Sequence, residues 1–117
     1  MTLPTTLQGK VVIITGASAG IGKQLALDLA RRGSQLALAA RDLDALEQVA
    51  TECKKLGAQA LCVRADVADP EACRRLVEAT VERFGAIDVL VNNAGISMVS
   101  RFDEVKDLSV FVKLMLV

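Results

Sequence analysis

Residues 10–22 read KVVIITGASAGIG, and this stretch decides the fold. Lys10 leads into Val11, Val12, Ile13, Ile14 and Thr15, a β-branched, nearly uniformly apolar run of the kind found in a strand buried on both faces. Small residues follow at once, with glycine at positions 16, 20 and 22. From residue 21 to 32, apolar side chains recur at helical spacing as Ile21, Leu25, Leu29 and Ala30, and Gly33 supplies a stop. In a strand, tight turn and helix of this kind, Gly16 lets the chain turn sharply and Gly20 lets backbone N–H groups approach a ligand. Gly22 lets the helix pack closely on the sheet. A helix that opens at such a turn presents its positive end to an anion such as a pyrophosphate.

The same alternation continues outward. Strands are predicted at residues 35–40, 59–64 and 88–91. A helix capped by Asp42 runs to about residue 56, with Leu43, Leu46, Val49 and Ala50 on one face and Gly57 after its end. Asp69 followed by Pro70 opens another, through Leu76, Val77, Val81 and Phe84 to Gly85. After Asn92-Asn93-Ala94-Gly95 an irregular stretch leads to a last helix at 104–117. Strands alternating with longer helices predict a parallel sheet covered by crossover helices. The expectation is therefore an α/β fold, a Rossmann-type doubly wound sheet of four parallel strands in the order 3-2-1-4. Its ligand would lie across the carboxyl edge, at the switch between the first and fourth strands.

The 117 residues, 52% of them hydrophobic, amount to one domain with no linker or repeat to divide it. Lysine plus arginine (14) equal aspartate plus glutamate (14), so no global field draws nucleic acid or an anionic membrane. Neither a signal peptide nor an apolar run of about 18 residues is present, and the chain reads as soluble and cytoplasmic. Cys53, Cys62 and Cys73 are odd in number and lack CxxC spacing, which makes them plain thiols rather than disulfide partners or zinc ligands. Histidine, tyrosine and tryptophan do not occur. Histidine triads, histidine metal sites and tyrosine-based proton transfer are therefore closed to this polypeptide alone.

The turn TGASAGIG at residues 15–22 has GxxxGxG spacing, Asp66-Val67 follow the third predicted strand, and Asn92-Asn93-Ala94-Gly95 follow the fourth. Together and in this order they resemble the short-chain dehydrogenase/reductase family over residues 7–117. The resemblance implies that Gly16, Ser18, Gly20, Ile21 and Gly22 hold the pyrophosphate and adenosine ribose of a nicotinamide dinucleotide. It places Asp66 and Val67 beside the adenine, and Asn93, Ala94 and Gly95 along the ribose and nicotinamide. Asn92 would brace the sheet. It also implies a homo-oligomer for the complete protein. Plainer roles are open too: Asp66 as a capping or turn residue, and the NNAG segment as an ordinary turn.

The choice of dinucleotide turns on the end of the second strand, where Rossmann folds place an acid for NAD or an arginine for the additional phosphate of NADP. Here the acid's position is Ala40, and Arg41 follows. A guanidinium can grip a phosphate with two charge-assisted hydrogen bonds. NADP(H) is thus the expected cofactor and NAD(H) a possible one, while the alternative for Arg41 is an exposed pair with Asp42 or Asp44. Against NADP(H) stands Ala19, where many NADP-dependent relatives carry a basic residue.

The family transfers hydride between nicotinamide and a small carbonyl or alcohol substrate, using a tyrosine, a lysine in a YxxxK pattern and a serine. None has a match here. Ser97 and Ser100 follow too soon after the NNAG segment and are expected to be loop residues. The apolar end from Val110 to Val117 further suggests an N-terminal portion of an oxidoreductase, its domain incomplete at the C-terminus. A stand-alone nucleotide-binding module and a scaffold with a relic turn are the alternatives.

Overall fold

The computed structural model describes residues 7–93 and 98–101. Its elements are β1 (Val11–Thr15), α1 (Gly20–Arg31), β2 (Gln35–Ala40), α2 (Leu43–Lys55), β3 (Ala60–Arg64), α3 (Pro70–Phe84), β4 (Val89–Asn92) and β5 (Met98–Arg101). The four parallel strands lie in the order β3-β2-β1-β4, as expected, and β5 adds an edge beyond β4. The register pairs Val12 with Leu36 and with Val89, and Leu36 in turn with Ala60. Element ends fall within a residue or so of the expectation.

Alternation along each strand sorts side chains into two cores. Val12 and Ile14, with Leu36, Leu38 and Val91, pack against Leu29 of α1 and against Leu46 and Val49 of α2. Ile13, Ala37, Ala39 and Leu90 point the other way, against Cys73, Leu76 and Val77 of α3. Helices on both faces explain why these strands read as continuous apolar runs.

Loop ends are pinned by side chains. The Asp88 carboxylate accepts the Val11 N–H at 2.8 Å, and the buried Ser34 hydroxyl donates to the Leu7 carbonyl at 2.9 Å. α3 closes on Gly85 in the left-handed conformation (φ 81°), where only glycine is unstrained.

Three expectations are corrected. Ile21, which helical spacing puts with Leu25 and Leu29, is 70% exposed, because the buried stripe is Gly22, Ala26, Leu29 and Ala30. One residue before Gly22 is a rotation of about 100° away from that stripe. Leu43 is likewise exposed, since α2 buries Leu46, Val49, Ala50 and Cys53. The stretch after the NNAG segment was expected to be irregular, but Met98–Arg101 pairs antiparallel with β4, Leu90 opposite Ser100. Ser100 is therefore a strand residue rather than a loop residue. An edge strand needs a partner's hydrogen bonds on one side only, and its short mixed sequence gives little periodic signal. Ala94, Gly95 and Ser97 lie outside the described residues, as does the helix expected at 104–117.

Candidate dinucleotide cleft

All four parallel strands end on the same edge of the sheet, and the residues that follow them surround a cleft of about 720 Å³. After β1 come Gly16, Ser18, Ala19 and Gly20. Ala40, Arg41 and Asp42 border it from the end of β2, Ala65, Asp66, Val67 and Ala68 from beyond β3, and Asn93 from beyond β4. Seven of these twelve are candidate site residues from the sequence, and Ala19, Ala40, Asp42, Ala65 and Ala68 join them because the strand order brings the four loops together.

The glycine turn is held in shape by its neighbours. Gly16 adopts φ 63°, and the next residue, buried Ala17, donates its N–H to the Ala39 carbonyl at 3.1 Å, tying the turn to β2. A Cβ at Gly22 would collide with the Gly16 carbonyl and come within 2.7 Å of Asn93 Nδ2. Gly22 thus lets α1 start directly against the turn and against the loop after β4, a closer contact than helix-to-sheet packing alone. At Gly20 nothing lies within 4 Å of where a Cβ would project, so the backbone there faces open cleft.

The start of α1 differs from the starts of the other two helices. Asp42 Oδ1 accepts the Ala45 N–H at the start of α2, and Asp69 Oδ1 accepts the Glu71 N–H at the start of α3. At the N-cap of α1 stands Ala19, with no side-chain cap and no acidic residue in the first turn. Its first N–H groups and its positive end are left to an anion. Ser18, half-buried beside them, has no hydrogen-bond partner among the described residues.

Thr15 joins the turn to the loop after β4. Its Oγ1 donates to Asn92 Oδ1 at 3.0 Å and accepts the Asn93 N–H at 2.9 Å. Asn92 is buried in this bond and braces the sheet, as expected, while Asn93 reaches the cleft. Nothing local marks Thr15, a polar residue at the end of an apolar strand, for this part.

Arg41 lines the cleft beside Ala40 and forms no ion pair among the described residues, so the expected alternative partners, Asp42 and Asp44, do not hold it. Asp66 makes a turn of its own, its Oδ1 accepting the Ala68 N–H at 2.9 Å, and it also faces the cleft. The plainer role, that of a turn residue, is realised at a position that borders the cleft. Ile21 and Gly22 do not line the cleft; Gly22 acts from behind the turn.

No metal-binding group of histidine, cysteine and acidic residues occurs among the described residues. Burial raises all three thiols. Cys53 goes from near 9.0 to about 11, with the Glu52 carboxylate and Cys62 adding to the effect. Desolvation likewise pushes up Cys62 and Cys73. None is a poised nucleophile. No helix among the described residues is long and apolar enough to cross a membrane.

The fit to a dinucleotide rests on the open backbone at Gly20, the uncapped start of α1 and the cleft spanning four strand ends. Known proteins agree with that geometry. The family model for short chain dehydrogenase matches residues 10–117. Over 104 residues the chain is 50% identical to 11-beta-hydroxysteroid dehydrogenase 1A of Arabidopsis thaliana, an alignment covering 88% of this chain and 30% of that protein. The chain therefore spans less than a third of the length of that relative. L-sorbose reductase from Gluconobacter frateurii, solved with NADPH and L-sorbose, has a TM-score of 0.76 at 36% identity, covering 97% of this chain and 44% of that one. A short chain dehydrogenase/reductase from Burkholderia phymatum, solved with NAD, has a TM-score of 0.75 at 36% identity, covering 80% and 33%. Sequence motifs, strand order and these likenesses converge, and the chain belongs to the short chain dehydrogenase family.

Proposed function

We propose that this chain binds a nicotinamide dinucleotide across the cleft, prefers NADP(H) to NAD(H), and forms the cofactor-binding part of an oxidoreductase acting on a carbonyl/alcohol pair. Bound there, the nicotinamide would supply or accept the hydride. The uncapped start of α1, with Gly16, Ser18 and Gly20 and through the backbone of Ile21 in its first turn rather than the outward side chain, would hold the pyrophosphate and adenosine ribose, with Gly22 keeping the turn closed. Asp66 and Val67 would flank the adenine, and Asn93, Ala94 and Gly95 would follow the ribose and nicotinamide. A hydroxysteroid dehydrogenase among the relatives supports a hydroxyl-bearing substrate.

The observation that carries the preference is Arg41, in the cleft beside apolar Ala40 and unpaired with any carboxylate among the described residues. Solved relatives with NAD and with NADPH both occur, so the preference stands on this chain's own residues. A second reading, a nucleotide-binding module without catalysis, is favoured by the absence of tyrosine and histidine from the chain. Both readings share the cleft.

Calorimetric titration with both cofactors tests the proposal. A charge-assisted hydrogen bond of roughly 1.5–3 kcal/mol corresponds to NADP(H) binding about tenfold to a hundredfold more tightly. Arg41→Ala should remove most of that difference, and Ala40→Asp should reverse it by repelling the phosphate and accepting from the ribose hydroxyls. Equal affinities in the unmodified chain, or an Arg41→Ala variant that still prefers NADP(H), would refute the preference. With ketones and NADPH this chain alone should show no reduction above background.

A further inference from the structure

A second hollow, of about 320 Å³, opens beside the cleft, and Arg41 belongs to both. Arg64 and Arg75 also line it, as do Asp66 and Asp69. Parallel pairing of β2 with β3 sets Arg64 next to Ala40. From there its Nε donates to the Arg41 carbonyl at 3.3 Å, which tethers the side chain of Arg64 to the turn that carries Arg41. One N–H of the guanidinium is used in this bond, out of the several that the group carries.

The carboxylates nearby each hold a backbone N–H through one oxygen. Asp66 Oδ1 accepts the Ala68 N–H at 2.9 Å, and Asp69 Oδ1 accepts the Glu71 N–H at 3.0 Å. Among the described residues neither forms an ion pair with Arg41, Arg64 or Arg75. The hollow therefore gathers three guanidinium groups against two carboxylates. Three arginines against two aspartates leave the rim with a net positive charge, and a dianion seated there would gain charge-assisted hydrogen bonds from the guanidinium groups.

We infer that Arg64 is a second specificity-determining residue, the adenosine-ribose phosphate of NADP(H) lying between Arg41 and Arg64 with Arg75 at the rim. This rests on the NADP(H) reading above and adds a residue to it. Nothing in the sequence around Arg64 signals the role, because only the β2–β3 register brings position 64 beside position 41.

The test is the ratio of NADP(H) to NAD(H) affinity, measured by calorimetry on the full chain, on Arg64→Met, on Arg41→Ala and on the double variant. Arg64→Met should lower the ratio by about threefold to tenfold, and should lower it further when added to Arg41→Ala. Arg64→Gln, which keeps a donor for the Arg41 carbonyl but no charge, should show the same loss and guards against misfolding of the methionine variant. A ratio unchanged in both Arg64 variants, while Arg41→Ala abolishes the preference, would overturn the inference and leave the Arg41 reading intact. A loss that vanishes in the Arg41→Ala background would also overturn it, since Arg64 would then act only by holding the Arg41 carbonyl. Equal affinities in the unmodified chain would overturn the underlying reading and this inference with it.

Discussion

Gly22 carries more of the site than its size suggests, because the space its side chain would fill is already taken by the Gly16 carbonyl and the Asn93 amide. Gly22→Ala should therefore destabilise the fold by about 1–3 kcal/mol, the usual range for forcing an additional methyl into a packed site. It should weaken dinucleotide binding as well, by displacing the turn. Thermal melting checks the first effect and calorimetry the second; a variant as stable as the parent would show that the turn gives way freely. At this scale the sequence was legible where a residue type has one use: glycines at a strand-helix turn, aspartates at the starts of α2 and α3. It was opaque where the role depends on a distant neighbour. Thr15 meets Asn92 and Asn93 more than seventy positions away, and Asp88 meets the Val11 N–H across a similar gap. No local pattern announces such pairs.

At the start of α1, helix stability and the proposed binding pull in opposite directions. Two helices carry aspartate caps, and the third, at the cleft, carries Ala19 in an extended conformation suited to a cap. Ala19→Asp should stabilise the fold by about 1 kcal/mol, the typical gain for such a cap. The same carboxylate should weaken dinucleotide binding by occupying the N–H groups and repelling the phosphates. A variant that is stabilised and binds equally well would count against the anion role of this terminus. The packing of α2 on α1 makes a separate prediction through Cys53, whose thiol donates to the Ala26 carbonyl at 3.7 Å. Its pKa is raised by burial to about 11, so between pH 9 and 11 the unfolded chain loses a proton that the fold retains. Stability should fall with rising pH across that window, by about 1.4 kcal/mol per unit, and level off above it. Melting curves of the parent and of Cys53→Ala should diverge in slope there; parallel slopes would contradict the assignment. Helix boundaries were legible because Asp69-Pro70, Gly57 and Gly85 are unambiguous signals. The outward turn of Ile21 and Leu43 was not, since the first turn of a helix reaches past the core that sets its phase.

At the scale of the whole molecule, the order of the parallel strands followed from alternation and chain connectivity, and the cleft followed from the order. β5 did not follow, because an antiparallel edge pair depends on what lies beside β4 rather than on its own residues. On the reading proposed above, the four loops at the carboxyl edge form one dinucleotide site. Titration of the isotopically labelled chain with NADPH, followed through its backbone amide resonances, tests this most directly. Shifts should concentrate at Gly16, Ser18, Gly20, Arg41, Asp66, Val67 and Asn93, while amides at the opposite edge, such as Gly9, Gly33 and Asp88, stay in place. Shifts centred on that opposite edge, or none at saturating NADPH in a folded chain, would contradict it.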